Sequence, residues 1–139
     1  MMIDTKFFGQ VEINEDEILY FEKGLPGLED YKRYTIIKVE DSNLYCLQSI
    51  DEKNIALLMI IPWDYFKDYE IALSNEEIKE LNINSYEDVM VYNIITVRDD
   101  KVTANLLAPV VLNVKNNKAK QIILNDKKYS IRQEIKCLS

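Results

Sequence analysis

Residues 89–113 restrict what this chain can fold into more than any other stretch. Two apolar runs meet at four charged residues, Arg98, Asp99, Asp100 and Lys101. Side chains of an extended strand alternate between faces, so Val89, Val91, Ile95 and Val97 share one face and Met90, Tyr92, Ile94 and Thr96 the other. A strand apolar on both faces belongs in an interior. Aspartates support chain reversal through side-chain bonds to their own backbone, so the charged quartet predicts a turn and the stretch a central hairpin. Its second arm, residues 102–108, must bend, end or lie at an edge at Pro109, which lacks a ladder donor, and residues 110–113 start in a new direction.

The flanking segments predict more strands. Residues 5–13 alternate, with Phe7, Gly9, Val11 and Ile13 on one face. The acidic turn Asn14, Glu15, Asp16, Glu17 precedes a short apolar run at 18–21. Gly24, Leu25, Pro26, Gly27 and Leu28 hold two of the three glycines and one of the three prolines, and glycine after proline suits a type II turn that sends Leu25 and Leu28 into the core. Residues 33–39, 44–50 and 55–61 read as strands, the last stopped by Pro62. Beyond it Trp63, Asp64, Tyr65, Phe66, Lys67, Asp68, Tyr69 and Glu70 interleave aromatic and acidic side chains in a loop. Ser74 with Glu77 forms a capping box for one short surface helix, whose Ile78 and Leu81 give a single apolar stripe. Residues 120–124 and 128–135 predict a last hairpin about Asn125, Asp126 and Lys127. Nine to ten strands and one helix describe an all-β, mainly antiparallel domain, a small barrel or sandwich. At 139 residues one domain accounts for the whole chain and can bury a core without staples.

Composition removes several function classes. The chain has no histidine, so the commonest general base, metal ligand and nucleophile partner is missing. With three glycines it cannot assemble a glycine-rich phosphate loop, and neighbouring carboxylates such as Asp99 and Asp100 do not make a facing acid-base pair. No catalytic apparatus, metal or cofactor is expected. The N-terminal region has no signal-peptide pattern and nowhere does a run approach the roughly 20 apolar residues of a membrane helix, which predicts a cytoplasmic protein away from membranes. Cys46 and Cys137 are then free thiols.

Charge is distributed unevenly. The net value is −7, yet residues 1–100 carry a balance of −13 and residues 101–139 one of +6. Only Arg33, Arg98 and Arg132 supply guanidinium groups, which argues against direct nucleic-acid binding, whereas an acidic face suits a basic protein partner. A rival reading is a barrel that binds an oligosaccharide or a single-stranded nucleic acid through its tyrosines, which number nine.

Four motifs in order point to a family. Phe21 with Gly24-Leu25-Pro26-Gly27-Leu28, Leu47-Gln48-Ser49 ahead of an apolar strand and Pro62, the run from Thr103 to Asn113 containing Asn105 and Pro109, and Gln121-Ile122-Ile123-Leu124 together resemble the bacterial flagellar assembly factor FliW family over nearly the entire chain. Leu28 stands where that family usually carries an aromatic. The resemblance implies a barrel-like, non-enzymatic protein, monomeric when free, with two alternative partners. One is flagellin, held before export; the other is CsrA, an RNA-binding translational repressor whose block on flagellin synthesis the freed protein relieves. Gly24, Pro26, Gly27, Asn105 and Pro109 read as architectural. Partner contact is expected at Trp63, Asp64, Tyr65, Asp68, Tyr69 and Glu70 and at Glu15, Asp16 and Glu17.

Overall fold

The apolar stretch from residue 89 becomes the longest strand of the computed structural model, which describes residues 1–136. The strands are β1 Met2–Asp4, β2 Gln10–Glu12, β3 Leu19–Phe21, β4 Arg33–Lys38, β5 Tyr45–Ser49, β6 Ala56–Ile60, β7 Val89–Arg98, β8 Lys101–Ala104, β9 Val110–Asn113, β10 Lys118–Gln121 and β11 Gln133–Ile135, with one α-helix, α1, at Asn75–Glu80. Seven of them close a ring in the order β7, β6, β5, β4, β3, β10, β9, with β9 pairing back to β7. Every junction of the ring is antiparallel except β3 with β10. Strands β8 and β11 extend outward from β7, and β1 and β2 form a separate hairpin. The fold is therefore mostly β with a closed seven-stranded barrel, as the alternation implies.

Two cores explain the strands that are apolar on both faces. Phe21, Tyr34, Leu47, Met59, Tyr92, Val110, Leu112 and Ala119 come from all seven ring strands and fill the barrel. Ile60, Ile95 and Val111 point the other way, into an outer layer completed by Tyr69, Leu81, Leu106, Ile122, Leu124 and Ile135. Neighbours in sequence, Met59 and Ile60 or Val110 and Val111, thus enter different cores because the pleat alternates. Beyond Ile95 the strand leaves the outer layer, and Thr96, Val97 and Arg98 are exposed.

The central reversal uses fewer residues than the charged quartet suggests. Arg98 pairs with Lys101, and only Asp99 and Asp100 form the loop, at φ 53° and 64°. Left-handed backbone at both positions is the reversal that matches strand twist. The second arm ends at Ala104, five residues before Pro109. Because Ile95 faces Ala104 and Tyr92 faces Val110, residues 93–94 of β7 lie opposite residues 105–109. That excursion is a large bulge, held by Ala108 N–H to Asn105 Oδ1 at 2.9 Å, Gln121 Nε2 to the Ala108 carbonyl at 3.1 Å, and Leu124 N–H to the Leu107 carbonyl at 2.8 Å.

Two expected strand assignments are corrected. Residues 5–13 are not one strand, because Thr5 folds the chain back: its N–H and Oγ1 both donate to the Gly9 carbonyl, at 2.9 and 2.7 Å, so Met2–Asp4 pairs with Gln10–Glu12. Residues 120–124 and 128–135 do not pair with each other. β10 fits between β9 and β3, and β11 adds to β8. Long-range edges win over the local turn.

The helix and the glycine turn follow the local signals. Ser74 Oγ accepts from Glu77 N–H at 3.1 Å, while the Glu77 carboxylate returns to the Ser74 hydroxyl, at 2.8 Å, rather than to its N–H. At the other end, Asn113 and Asn116 donate side-chain N–H groups to the Leu81 carbonyl at 2.8 and 3.0 Å, tying α1 to the barrel rim. Leu28 N–H donates to the Leu25 carbonyl at 2.8 Å across Pro26 and Gly27, and Gly27 has φ +80°. Gly24, at φ +66°, is tighter: a Cβ there would lie 2.7 Å from Glu29 Cα, whereas one at Gly27 would meet nothing within 4 Å. Gly27→Ala should cost about 1–2 kcal/mol, the price of left-handed backbone alone. Gly24→Ala should cost at least about 1 kcal/mol more, from backbone overlap. Denaturant unfolding of the two variants measures the difference.

Candidate functional site

The loop after β6 begins as Pro62 ends the ladder and opens a 3-10 turn, Pro62–Asp64, with Tyr65 and Phe66 N–H groups both donating to the Pro62 carbonyl at 3.0 and 2.7 Å. Trp63 Nε1 donates to the Tyr69 carbonyl at 2.7 Å, and the two rings are 6.0 Å apart. Trp63 stays 41% exposed, and Asp64, Asp68 and Glu70 are exposed beside it. Tyr65 and Phe66 are half-buried against the outer core. A cavity of about 500 Å³ separates this loop from β11.

Tyr69 departs from the expected role. It is 3% exposed, its ring packs 4.7 Å from that of Tyr129, and its hydroxyl donates to the Leu106 carbonyl at 2.7 Å while accepting from Asn93 Nδ2 at 3.3 Å. Asn93 Nδ2 also donates to the Asn105 carbonyl at 2.8 Å. Tyr69 therefore secures the bulge to β7 and anchors the loop from beneath. The exposed surface consists of Trp63, Asp64, Lys67, Asp68 and Glu70, still acidic on balance.

Glu15, Asp16 and Glu17 form an exposed 3-10 turn on another part of the barrel. Asn14 N–H donates to Glu17 Oε1 at 2.9 Å, Thr35 Oγ1 of β4 to the Glu17 carbonyl at 3.0 Å, and Asn117 Nδ2 to the Asp16 carbonyl at 2.7 Å. The turn thus rests on the β4, β3, β10 side of the ring, whereas the aromatic loop lies between β6 and β7. The structure does not bring the two acidic groups into one site.

Sequence order also hid a basic cluster. β10 sits between β3 and β9, so the positive C-terminal region is interleaved with acidic segments, and Lys118 and Lys120 line a cleft with Lys23 and Lys32. The only hint in the sequence was the charge balance of the two halves. Exposed aromatics are scattered: Phe7, Tyr20, Trp63 and Tyr86 stand on four different elements rather than on one stacking platform. Among the described residues no group of three His, Cys, Asp or Glu is placed to hold a metal ion, and no helix is long and apolar enough to cross a membrane.

Buried titratable groups have structural explanations. Cys46 is a free, buried thiol pushed up to about 11 by burial, far from a thiolate nucleophile; Cys137 lies outside the described residues. Burial pushes Tyr69 and Tyr34 up to about 12. Folding favours their neutral phenols, so this stability is complete below the unfolded value near 10 and is lost as pH rises toward 12. Urea midpoints should fall steeply over that interval, with an unfolding slope of about 1.4 kcal/mol per tyrosine per pH unit. The two hydroxyls differ in pairing, since Tyr34 Oη has no hydrogen-bond partner among the described residues. Tyr69→Phe should destabilise by about 1–3 kcal/mol by orphaning the Leu106 carbonyl, and Tyr34→Phe should be neutral or mildly stabilising. The same titrations compare them.

Comparison with known proteins covers nearly all of this geometry. Residues 2–135 match the family model described as FliW protein. The flagellar assembly factor FliW of Thermosipho africanus (strain TCF52B) is 43% identical over 131 residues, 91% of this chain and 90% of that one. Its counterpart in Bacillus subtilis (strain 168) is 40% identical over 138 residues, 97% of this chain and 96% of the other. A crystal structure of the flagellar assembly factor FliW superposes with a TM-score of 0.92 at 37% identity, covering 96% of each chain.

Proposed function

Since the chain belongs to the FliW family, we propose that it is a non-enzymatic flagellar assembly factor of the cytoplasm, monomeric when free, that exchanges between two partners. Flagellin occupies it before export. Once flagellin leaves, the freed protein binds the repressor CsrA and relieves the block on flagellin synthesis. Full-length similarity to flagellar assembly factors is the observation that carries the flagellar part of this reading.

The surface chemistry supports the repressor part. An RNA-binding repressor is basic where it meets RNA, and this chain has a net charge of −7. Exposed Asp64, Asp68 and Glu70 outnumber Lys67 on the loop that presents Trp63, a residue type favoured as an interface anchor, and that Tyr69 fixes from below. A rigid loop loses little entropy on binding. Rim charges of this kind mainly raise encounter rate and specificity and are screened by salt.

Calorimetric titration with CsrA from the same genome tests the reading, repeated after saturation with flagellin. Binding that flagellin abolishes is the expected outcome; no binding to either protein overturns it. Replacing Asp64, Asp68 and Glu70 together with lysine should weaken repressor binding about tenfold, roughly 1.4 kcal/mol, and flatten its salt dependence. Unchanged affinity and salt slope would remove the loop from the interface.

A further inference from the structure

The parallel junction of the barrel leaves an opening that the exchange reading does not use. β3 and β10 share only two residue pairs, Tyr20 with Lys118 and Phe21 with Ala119. After Phe21 the chain turns away, with Gly24 N–H donating to the Phe21 carbonyl at 2.9 Å, while β10 continues to Gln121 along β9. The strands diverge around a cleft of about 390 Å³, within the size range of ligand sites.

The walls of this cleft have a definite chemistry. Phe21, Leu81 and Ala119 close its floor but are buried, so its accessible apolar surface comes from the half-exposed ring of Tyr20 and the stems of the lysines. Period two places Lys118 and Lys120 on one face of β10, opposite buried Ala119, and Lys23 and Lys32 stand on the exposed rim. Against four lysines the cleft has two acids, Glu22 and Glu80. Glu80 is committed to Lys120, at 2.8 Å, and fixes that side chain along the wall. Lys23, Lys32 and Lys118 form no ion pair among the described residues. A surplus of cation has thus been collected in one concave, partly apolar place on a chain of net charge −7.

We propose that this cleft is a docking groove for a short acidic segment of a protein partner, bound in an extended form. Lys118, Lys23 and Lys32 take its carboxylates, and the Tyr20 ring with the apolar stems of the lysines takes its apolar side chains. Charge complementarity selects the occupant. A long polyanion would leave the cleft and run onto acidic surface, and the cleft contains no arginine to hold phosphates in bidentate fashion. A segment with two or three carboxylates ends where the lysines end. The proposal goes beyond the exchange reading and assigns the groove to neither named partner.

Fluorescence anisotropy of the full chain tests it with three fluorescein-labelled probes: an octapeptide alternating glutamate and leucine, its lysine–leucine counterpart, and an eight-nucleotide oligothymidylate. The acidic peptide should bind saturably and lose affinity as salt rises. Lys32→Glu with Lys118→Glu should weaken it at least tenfold, and Lys101→Glu on β8 should leave it unchanged. If the first pair does not fold by circular dichroism, Lys23→Glu with Lys32→Glu, both on the exposed rim, carries the same comparison. No saturation up to about 1 mM peptide, indifference to the lysine variants, or equal or tighter binding of the oligothymidylate overturns the groove. None of the probes is flagellin or the repressor, so failure here and failure of the exchange reading are read separately.

Discussion

The hydroxyl of Tyr69 on the carbonyl of Leu106 is the contact on which much of this structure depends. β7 must pair with β9 to close the barrel and with β8 to extend the outer sheet, and the chain between those two strands has three residues too many. The surplus loops out at residues 105–109, where buried backbone groups need partners that no ladder supplies. Tyr69, Asn93, Asn105 and Gln121 provide several of them. Burying the Tyr69 hydroxyl and the Asn93 amide nitrogen is favourable because their bonds are made, whereas Asn93 Oδ1 has no partner among the described residues, and the same bonds fix the exposed loop whose backbone carries Tyr69.

This arrangement accounts for the two-layered apolar pattern. The ring alone would need one apolar face per strand, with the other facing water. Instead β6, β7 and β9 present a second face to an outer layer contributed by α1, the loop after β6 and the segment after β10. The large bulge, the helix tied by Asn113, and buried Tyr69 with half-buried Tyr129 all belong to that layer. A functional surface built on its rim is therefore held by packed side chains rather than by the loop's own backbone.

Features governed by nearby residues were legible in the sequence. Ser74 and Glu77 marked the helix start, Pro26 and Gly27 the type II turn, and the doubly apolar run the interior strand. Features governed by distant edges were not. Residues 5–13 alternate correctly for a strand, yet a single threonine hydroxyl aimed at Gly9 folds them into a hairpin. Residues 120–124 read as half of a C-terminal hairpin, and only the β3 and β9 edges reveal that the strand is Lys118–Gln121 and belongs between them. The candidate loop was half legible for a related reason: the interleaved aromatic and acidic residues read as one contact surface, but Tyr69 turns inward to partners on β7 and the bulge while Trp63 stays exposed. The lysine cleft gave no local sign, since its members come from β10 and from the turns around β3 and β4.

The parallel β3–β10 junction also orders events during synthesis. On a ribosome, β4, β5 and β6 can pair with their predecessors as soon as they emerge, because each of those ladders joins neighbours in sequence. Tyr20 and Phe21 must wait for Lys118 and Ala119, with an unpaired, partly apolar edge exposed until those residues emerge. Ring closure is thus a late, nearly all-or-none step that must wait until Lys118 and Ala119 have emerged. A truncated product is left with an open sheet, the form most prone to aggregate.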